Sequence, residues 1–471
     1  MDASSIPAVA LSLVVSLWLG CAEPPPDLVE IRNVTVIDGT GAAPRSGMSV
    51  VVEGRRITAI ARSDSVRHAA SARVIDGTGK FLIPGLWDMH VHLRDLDGTL
   101  PLFVVNGVTA VRDMGSDPVN TRATRRQIEA GELVGPRIRT AGLAVESSGW
   151  LSQYVDLMRR QGADEETVEQ FLRTRIAVGD TAEARAVVDS LVALGADFIK
   201  VRHAASPDVL RALGAAATEA GVQLVGHYVW ITSLEESARA GQRSIEHNIL
   251  PGFKQKPPEE KQDIFAAFLE HDTYLVPTLV TNESQTMSVE RRRALAGDRA
   301  GSIDPRNRYV SRPIRENWLE TIEMDAADQE RPSPETIRQM IDDSNAFLRE
   351  AHAAGVKMLA GTDVPTTGTF VGFSLHDELE LLVDTYGLSP MEALRCATAG
   401  AAAFMDIDED VGTIVEGKRA DLILLDANPL LDIANTRRID TVVADGRVFD
   451  RAARQQLLLE IESAVTVAQA Q

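Results

Sequence analysis

The sequence predicts an α/β fold: a (β/α)8 barrel with a small composite β-sandwich domain formed from both chain ends. Three observations lead there. From about Pro84 to Met405 the chain alternates short apolar runs with helix-like stretches, the pattern of a parallel sheet wrapped by helices. Both ends instead alternate apolar and polar residues between Gly-containing turns, which is β-type patterning. The 471 residues suffice for a barrel of ~250 residues and a second domain.

The N-terminus stands apart. Ile6 to Leu19 is apolar but short for a membrane span, and it fits the core of an export signal. It ends at Leu19-Gly20-Cys21. A small residue and Cys after an apolar core resembles a bacterial lipoprotein signal, in which Cys21 would be lipidated. The leader carries Asp2 and no Lys or Arg, and Trp18 stands where Leu is usual, so a plain secretory signal is the alternative. Residues 1–21 are read as leader and 22–27 as a Pro-rich linker. This predicts an exported protein, lipid-anchored to a bacterial membrane on its periplasmic or outer side. With Cys21 lipidated, Cys396 is alone and no internal disulfide forms; in the helical pattern MEALRCATAG it reads as a small buried hydrophobe.

Residues 28–83 hold three strand-like runs, LVEIRNVTVID, MSVVVEGRRITAIA and ARVIDGTGKFLIPG. Residues 406–455 repeat that character in VGTIVEGKRADLILLDA and IDTVVADGRVFD. Folding both ends together gives the composite β domain. Between them, residues 84–405 offer eight candidate barrel strands: Leu86–His92, Val108–Met114, Ile138–Leu143, Phe198–Val201, Gln223–Tyr228, Ser244–His247, Tyr274–Leu279 and Lys357–Asp363. Helix signals follow several of them. After the fourth come the cap Ser206, the first-turn Pro207 and Asp208, an apolar face from Val209 to Ala217, and Gly221 as a stop. After the fifth, Ser233 and Glu236 form a capping-box pattern that ends at Gly241. Two inserts, Ala144–Gly179 and Val280–Ala351, exceed ordinary connection lengths. Long inserts on a barrel's catalytic face form lids and pocket walls, or else solvated surface helices.

The formal net charge of -20 argues against nucleic acid as a partner and against a polybasic membrane surface. Contact with a membrane is expected only through a lipid anchor, and a homo-oligomer is compatible with everything above.

Metal-competent groups stand at the ends of separate barrel strands: His90 and His92, Lys200, His227, His247 and Asp363. Strand ends meet at one mouth of such a barrel. His90 and His92 share a face of their strand, roughly 6.6–6.8 Å apart, a spacing from which two imidazoles can converge on one metal. Asp88 points the same way and can orient a ligand. Lys200 would face the barrel centre, where an amine is costly unless used; with CO₂ it can form a carbamate whose two oxygens bridge two cations. Taken singly, each His fits a satisfied buried residue, Lys200 an ion pair, and Asp363 a turn residue. Arg112-Asp113 reads as a buried ion pair.

As a set, PGLWDMHVHL, TAVRDMG, FIKV, SIEHN, AGTD and GTIVEGKRADLILLD resemble the amidohydrolase superfamily, in its imidazolonepropionase-like and prolidase-like branch, over about Val29 to Asp450. The resemblance implies a small-molecule amide substrate and two divalent metal ions, usually Zn²⁺. His90 and His92 would bind the more buried ion, carboxylated Lys200 both ions, His227 and His247 the outer ion. Asp363 would contact the buried ion and shuttle the proton. Prolidase-like relatives grip a product carboxylate with Tyr or Arg near the fifth strand, which makes Tyr228 a candidate substrate anchor; its alternative is packing against a helix. His376 is a second candidate, with an exposed first-turn position as its alternative. The predicted reaction is hydrolysis of a C–N amide bond in a dipeptide, N-acyl amino acid or cyclic amide. A mononuclear deaminase or cyclic-amidine hydrolase is the alternative; such enzymes lack the strand-4 Lys and carry a Glu soon after the strand-5 His, whereas here the first Glu after His227 is Glu235. A non-catalytic surface protein is the third reading.

Overall fold

The computed structural model describes residues 28–65, 72–93, 98–247, 253–328 and 331–470. Cys21 and the rest of the expected leader lie outside them.

The chain opens with β1 (Leu28–Val36), β2 (Arg45–Glu53), β3 (Arg56–Arg62), β4 (Arg73–Asp76) and β5 (Phe81–Pro84). Then come β6 (Leu86–Val91), β7 (Val108–Asp113), β8 (Arg137–Thr140), β9 (Ala144–Ser147) and β10 (Arg175–Val178). They are followed by β11 (Phe198–Val201), β12 (Gln223–His227), β13 (Gln242–Glu246) and β14 (Tyr274–Val276). The last strands are β15 (Leu422–Leu425), β16 (Ile439–Ala444) and β17 (Arg447–Phe449).

Strands from both chain ends share one sheet, ordered β17-β16-β15-β5-β1-β2-β3 with β4 on β1. Its ladders join these strands in one hydrogen-bonded sheet. The alternation seen in the sequence explains it: Val29, Ile31, Val34, Val50, Val52, Leu422 and Leu424 all turn into one apolar core. A 20-residue helix, Arg451–Ala470, follows β17 and buries Ile461 and Val465; the sequence reading had placed no element there.

The middle of the chain forms two parallel sheets, β6-β7-β8 and β10-β9-β11-β12-β13-β14. Single contacts join them. Asp197 N–H donates to the Thr140 carbonyl at 2.8 Å beside β8 and β11. On the other side residues 357–364 make no regular strand. They bridge β14 through Leu275 and Met358 and bridge β6 through Val91 and Val364. The expected eighth strand, Lys357–Asp363, is therefore an irregular segment held on both flanks. The expected third strand, Ile138–Leu143, breaks after Thr140 and resumes as β9, inside what the sequence suggested was an insert.

Helix boundaries follow the sequence signals. Ser206 caps Pro207–Glu219 by accepting from Val209 N–H, and Ser233 caps Leu234–Arg239 by accepting from Glu236 N–H. The reciprocal capping box expected there occurs instead at Ser389 and Glu392, on the helix that carries Cys396. That thiol is buried, which pushes it up to about 12, as expected of a structural cysteine.

The second insert folds as four helices, Val280–Thr286, Val289–Gly297, Arg312–Ala327 and Pro334–Ala353. They are docked rather than free in solvent. Trp318 is fully buried, donates from Nε1 to the Pro365 carbonyl at 2.7 Å, and stands edge-on to Phe370. The insert is thereby tied to the loop that follows Asp363.

Glu378 sits buried on the helix Ser374–Asp384. Burial pushes its carboxyl up to about 8, against the N–H groups of Leu279 and Val280 that it accepts from. The folded protein thus keeps this proton to about pH 8, whereas the unfolded chain loses it near 4.5. The folded state binds the extra proton, so this group's stabilisation is full at low pH and is lost as pH rises, at about 1.4 kcal/mol per unit. Glu378→Gln should therefore gain stability relative to the wild type between about pH 5 and 8, read by urea unfolding at several pH values; parallel pH dependences would refute the assignment.

Candidate metal centre

The six predicted groups gather at one mouth. His90, fully buried at the end of β6, donates from Nδ1 to Glu246 Oε2 at 2.9 Å. That proton placement leaves Nε2 a lone pair. The Nε2 atom is buried, has no hydrogen-bond partner among the described residues and stands 3.4 Å from Asp363 Oδ1. His92 repeats the arrangement: Nδ1 faces the Gly115 carbonyl at 3.3 Å, and Nε2 lies 3.3 Å from the same Asp363 oxygen. The His247 ring is 4.7 Å from that of His90 and 4.8 Å from that of His227. One ligand atom each from His90, His247 and Asp363 fall within 4.8 Å of one another.

Lys200 lies fully buried near the end of β11, and its Nζ has no hydrogen-bond partner among the described residues. Burial lowers this amine to about 7, so a large neutral fraction exists near neutrality. Its charge bears on His90, His227, His247 and Asp363, which places it among them. Burial likewise holds His90 and His227 well below the usual imidazole range and His247 at about 4; all three offer lone pairs at neutral pH. Burial acts to raise Asp363, but the neighbouring His247, His92 and Lys200 hold it at about 2, so it is a carboxylate.

Backbone geometry aims these groups. On β13 the Glu246 side chain faces His90 and Arg112, so His247 on a regular strand would point to the opposite face. A left-handed φ of 71° at His247 swings the ring back to the mouth, and Asp363, with φ 55°, does the same after the eighth segment. His247 is held there through Nδ1, 2.9 Å from Thr278 Oγ1. Gly226, just before His227, runs so close to β11 that a Cβ would strike the Val201 carbonyl.

Beneath the cluster lies a buried polar network whose strength the sequence reading missed. Arg112 does not pair with Asp113. Neighbours on a strand face opposite ways, and Arg112 instead reaches both Glu246 oxygens at 2.8 Å, Ser244 Oγ at 3.1 Å and the Met89 carbonyl at 2.6 Å. Asp113 is satisfied separately by Thr140, Ser116 and the Leu93 N–H. Both ends of the Arg112–Glu246 pair are fully buried. The available signal was charge inside apolar runs: Arg in TAVRDM and Glu in SIEHN. Asp88 orients the backbone rather than a ring, accepting from His90 N–H and from the N–H and hydroxyl of Thr362.

The two substrate candidates are not brought to the cluster in free form. The Tyr228 hydroxyl donates to the Thr232 carbonyl at 2.7 Å and its ring packs on the core. That is the packing alternative, since a residue next to an inward His faces outward. His376 is buried, not exposed, and both ring nitrogens are engaged, by Thr436 Oγ1 and by the Asn106 carbonyl, each at 3.0 Å. Asn106 precedes β7, at the end of the sheet away from the mouth.

Residues 81–449 match the Amidohydrolase family. The chain belongs to that family. It is 27% identical over 392 residues to the imidazolonepropionase of Aromatoleum aromaticum (strain DSM 19018 / LMG 30748 / EbN1), covering 80% of this chain and 85% of that one. Its fold is similar to the crystal structure of a Xaa-Pro dipeptidase, with a TM-score of 0.68 and 22% identity over 90% of this chain and all of the other. It is also similar to the crystal structure of the Aspergillus niger ochratoxinase, with a TM-score of 0.66 and 19% identity over 90% and 96%. This amidohydrolase is a hydrolase of C–N bonds. Its parallel sheets share the architecture of those neighbours.

Proposed function

We propose that this enzyme is a binuclear metal-dependent amidohydrolase that cleaves a small amide on a closed (β/α)8 barrel. The observation that carries the proposal is the Lys200 amine, buried with no hydrogen-bond partner among the described residues and in electrostatic reach of His90, His227, His247 and Asp363. A buried amine left unpaired is costly, and a carbamate formed from its neutral form with CO₂ gives it a function. The donor set fits hard-to-borderline cations: imidazole lone pairs, a carboxylate and a carbamate. His90, His92 and Asp363 would hold one ion, His227 and His247 the other, and the Lys200 carbamate both. When bound, two such ions, Zn²⁺ by ligand type, supply Lewis acidity that acidifies water and polarises the scissile carbonyl.

The chain's own residues do the rest. Glu246 and the Gly115 carbonyl fix the tautomers of His90 and His92. Asp363, a carboxylate held between those two rings, takes the proton of the attacking water and returns it to the leaving nitrogen. Dipeptides, N-acyl amino acids and cyclic amides all present a carbonyl and a nitrogen that needs this proton.

Metal analysis of protein loaded with Zn²⁺ and bicarbonate, paired with a hydrolysis screen of those three amide classes, tests the reading. About two ions per chain and release of an amine support it; one ion per chain with ammonia release from a ring amine would favour the mononuclear alternative. Lys200→Ala should fall to about one ion or fewer per chain and lose about 10²-fold or more in kcat. A variant that retained both would remove the lysine from the site.

A further inference from the structure

A cavity of about 380 Å³ opens beside Asp363, within the size range of small-ligand sites. One wall is the loop after the eighth segment, with Asp363 and Thr367; the others come from the second insert. Pro332, Ile337, Met340 and Ile341 give it an apolar side. Its polar side carries a charged triplet. Arg292 and Arg331 both contact a single Asp325 oxygen. Two guanidiniums on one carboxylate leave a net positive charge. Arg292 is 3% exposed, and Arg331 is about one-fifth exposed. Two guanidiniums that share one carboxylate, one of them buried, are an expensive feature unless a second anion comes to them.

We propose that this cavity is the specificity pocket of the enzyme and receives the half of the amide that carries a carboxylate on an aliphatic residue. Arg292 and Arg331 bind that carboxylate and the Ile337–Ile341 face takes the side chain. Asp325 holds the guanidinium pair in place before substrate arrives and competes with it for the same donors. Planar guanidinium forks suit carboxylates. The cavity touches Asp363, so a residue lodged there keeps its amide nitrogen near the group that must protonate it. The insert that walls the pocket is docked on the loop after Asp363 through Trp318 and the Pro365 carbonyl. The proposal rests on the amide-hydrolase reading above and names its substrate: an N-acylated aliphatic amino acid or a dipeptide ending in one.

The test compares acetate release from N-acetyl-L-leucine and from N-acetyl-L-leucinamide by metal-loaded enzyme. The acid should show a kcat/KM at least about tenfold above the amide, the effect of a charge-assisted hydrogen bond. Arg331→Met should bring that ratio near one, through KM rather than kcat. Asp325→Asn should lower KM for the acid, since it removes the competing carboxylate, a change of sign that a merely structural role would not give. A wild-type ratio near one, or a ratio unchanged in Arg331→Met, overturns the pocket. If neither compound is cut, the amide-hydrolase reading fails for this class and calorimetric binding of the same pair judges the cavity alone. Acid bound at least about tenfold more tightly than amide, and no longer so in Arg331→Met, sustains it; equal affinities overturn it.

Discussion

Asp363→Asn is expected to leave a folded protein whose turnover falls by about 10³-fold or more, within the range assigned to a positioned proton-transfer group. Asn has the shape of Asp, and it tolerates the left-handed backbone that residue 363 adopts. The Asp363 N–H bond to the His90 carbonyl at 2.7 Å is a main-chain contact and survives the change. What is lost is the capacity to accept a proton from water and return it to nitrogen. The side chain also stops being an anion between His90 and His92, so metal affinity should weaken while the imidazoles and Lys200 remain. Steady-state kinetics at saturating metal, with thermal unfolding and metal content measured on the same preparation, separate these effects. A kcat within tenfold of wild type in the metal-replete variant would take the proton shuttle away from Asp363.

Arg112→Met is expected to cost about 3–5 kcal/mol of stability, the usual consequence of stranding one partner of a buried ion pair. Glu246 would keep its charge among apolar strands, with only Ser244 and His90 to satisfy it. The guanidinium also lies over the Phe198 and Phe404 rings, 5.7 and 5.2 Å from their centroids, and Met replaces only part of that packing. A second consequence reaches the site. Glu246 would be free to rotate, and the His90 ring that it orients would lose its fixed tautomer. Activity should therefore fall even at temperatures where the variant is folded. Urea unfolding gives the stability term. The double variant Arg112→Met with Glu246→Gln, which removes the stranded charge, should recover part of it, so the two losses should not add. Full additivity would mean that the pair is not energetically coupled.

Much of this site could be read from the chain because metal chemistry leaves a distinctive residue vocabulary. His, Lys and Asp are rarely spent on the ends of apolar runs, and the structure brings all six of them to one mouth. The expected strand Phe198–Val201 forms with those bounds, and the expected Gln223–Tyr228 forms as Gln223–His227; both are short apolar runs between turn signals. The least regular element was the eighth. Residues 357–364 form isolated bridges instead of a ladder, because MLAGTDVP combines Gly, Asp and Pro, which disrupt regular pairing, with a left-handed turn at Asp363.

Tyr228 and His376 show the opposite limit. Each was a plausible polar group near a motif, and each proves to be occupied, by the Thr232 carbonyl and by Thr436 and Asn106. Residues that satisfy one another across 60 or 270 positions of sequence leave no local pattern. The partner of Arg112 was missed for the same reason: Asp113 is its neighbour in sequence, but Glu246, 134 residues away, is its neighbour in space.

The sequence by itself determined the family, the alternation of strand and helix, and the metal-competent groups, since these follow from residue type and short-range periodicity. The tertiary structure alone decided which way each group faces, which charges neutralise one another, and that the second insert folds back to wall a cavity beside Asp363. Those outcomes depend on left-handed turns at single residues and on contacts between segments far apart in the chain. Physical proximity of that kind exists only once the strands have met.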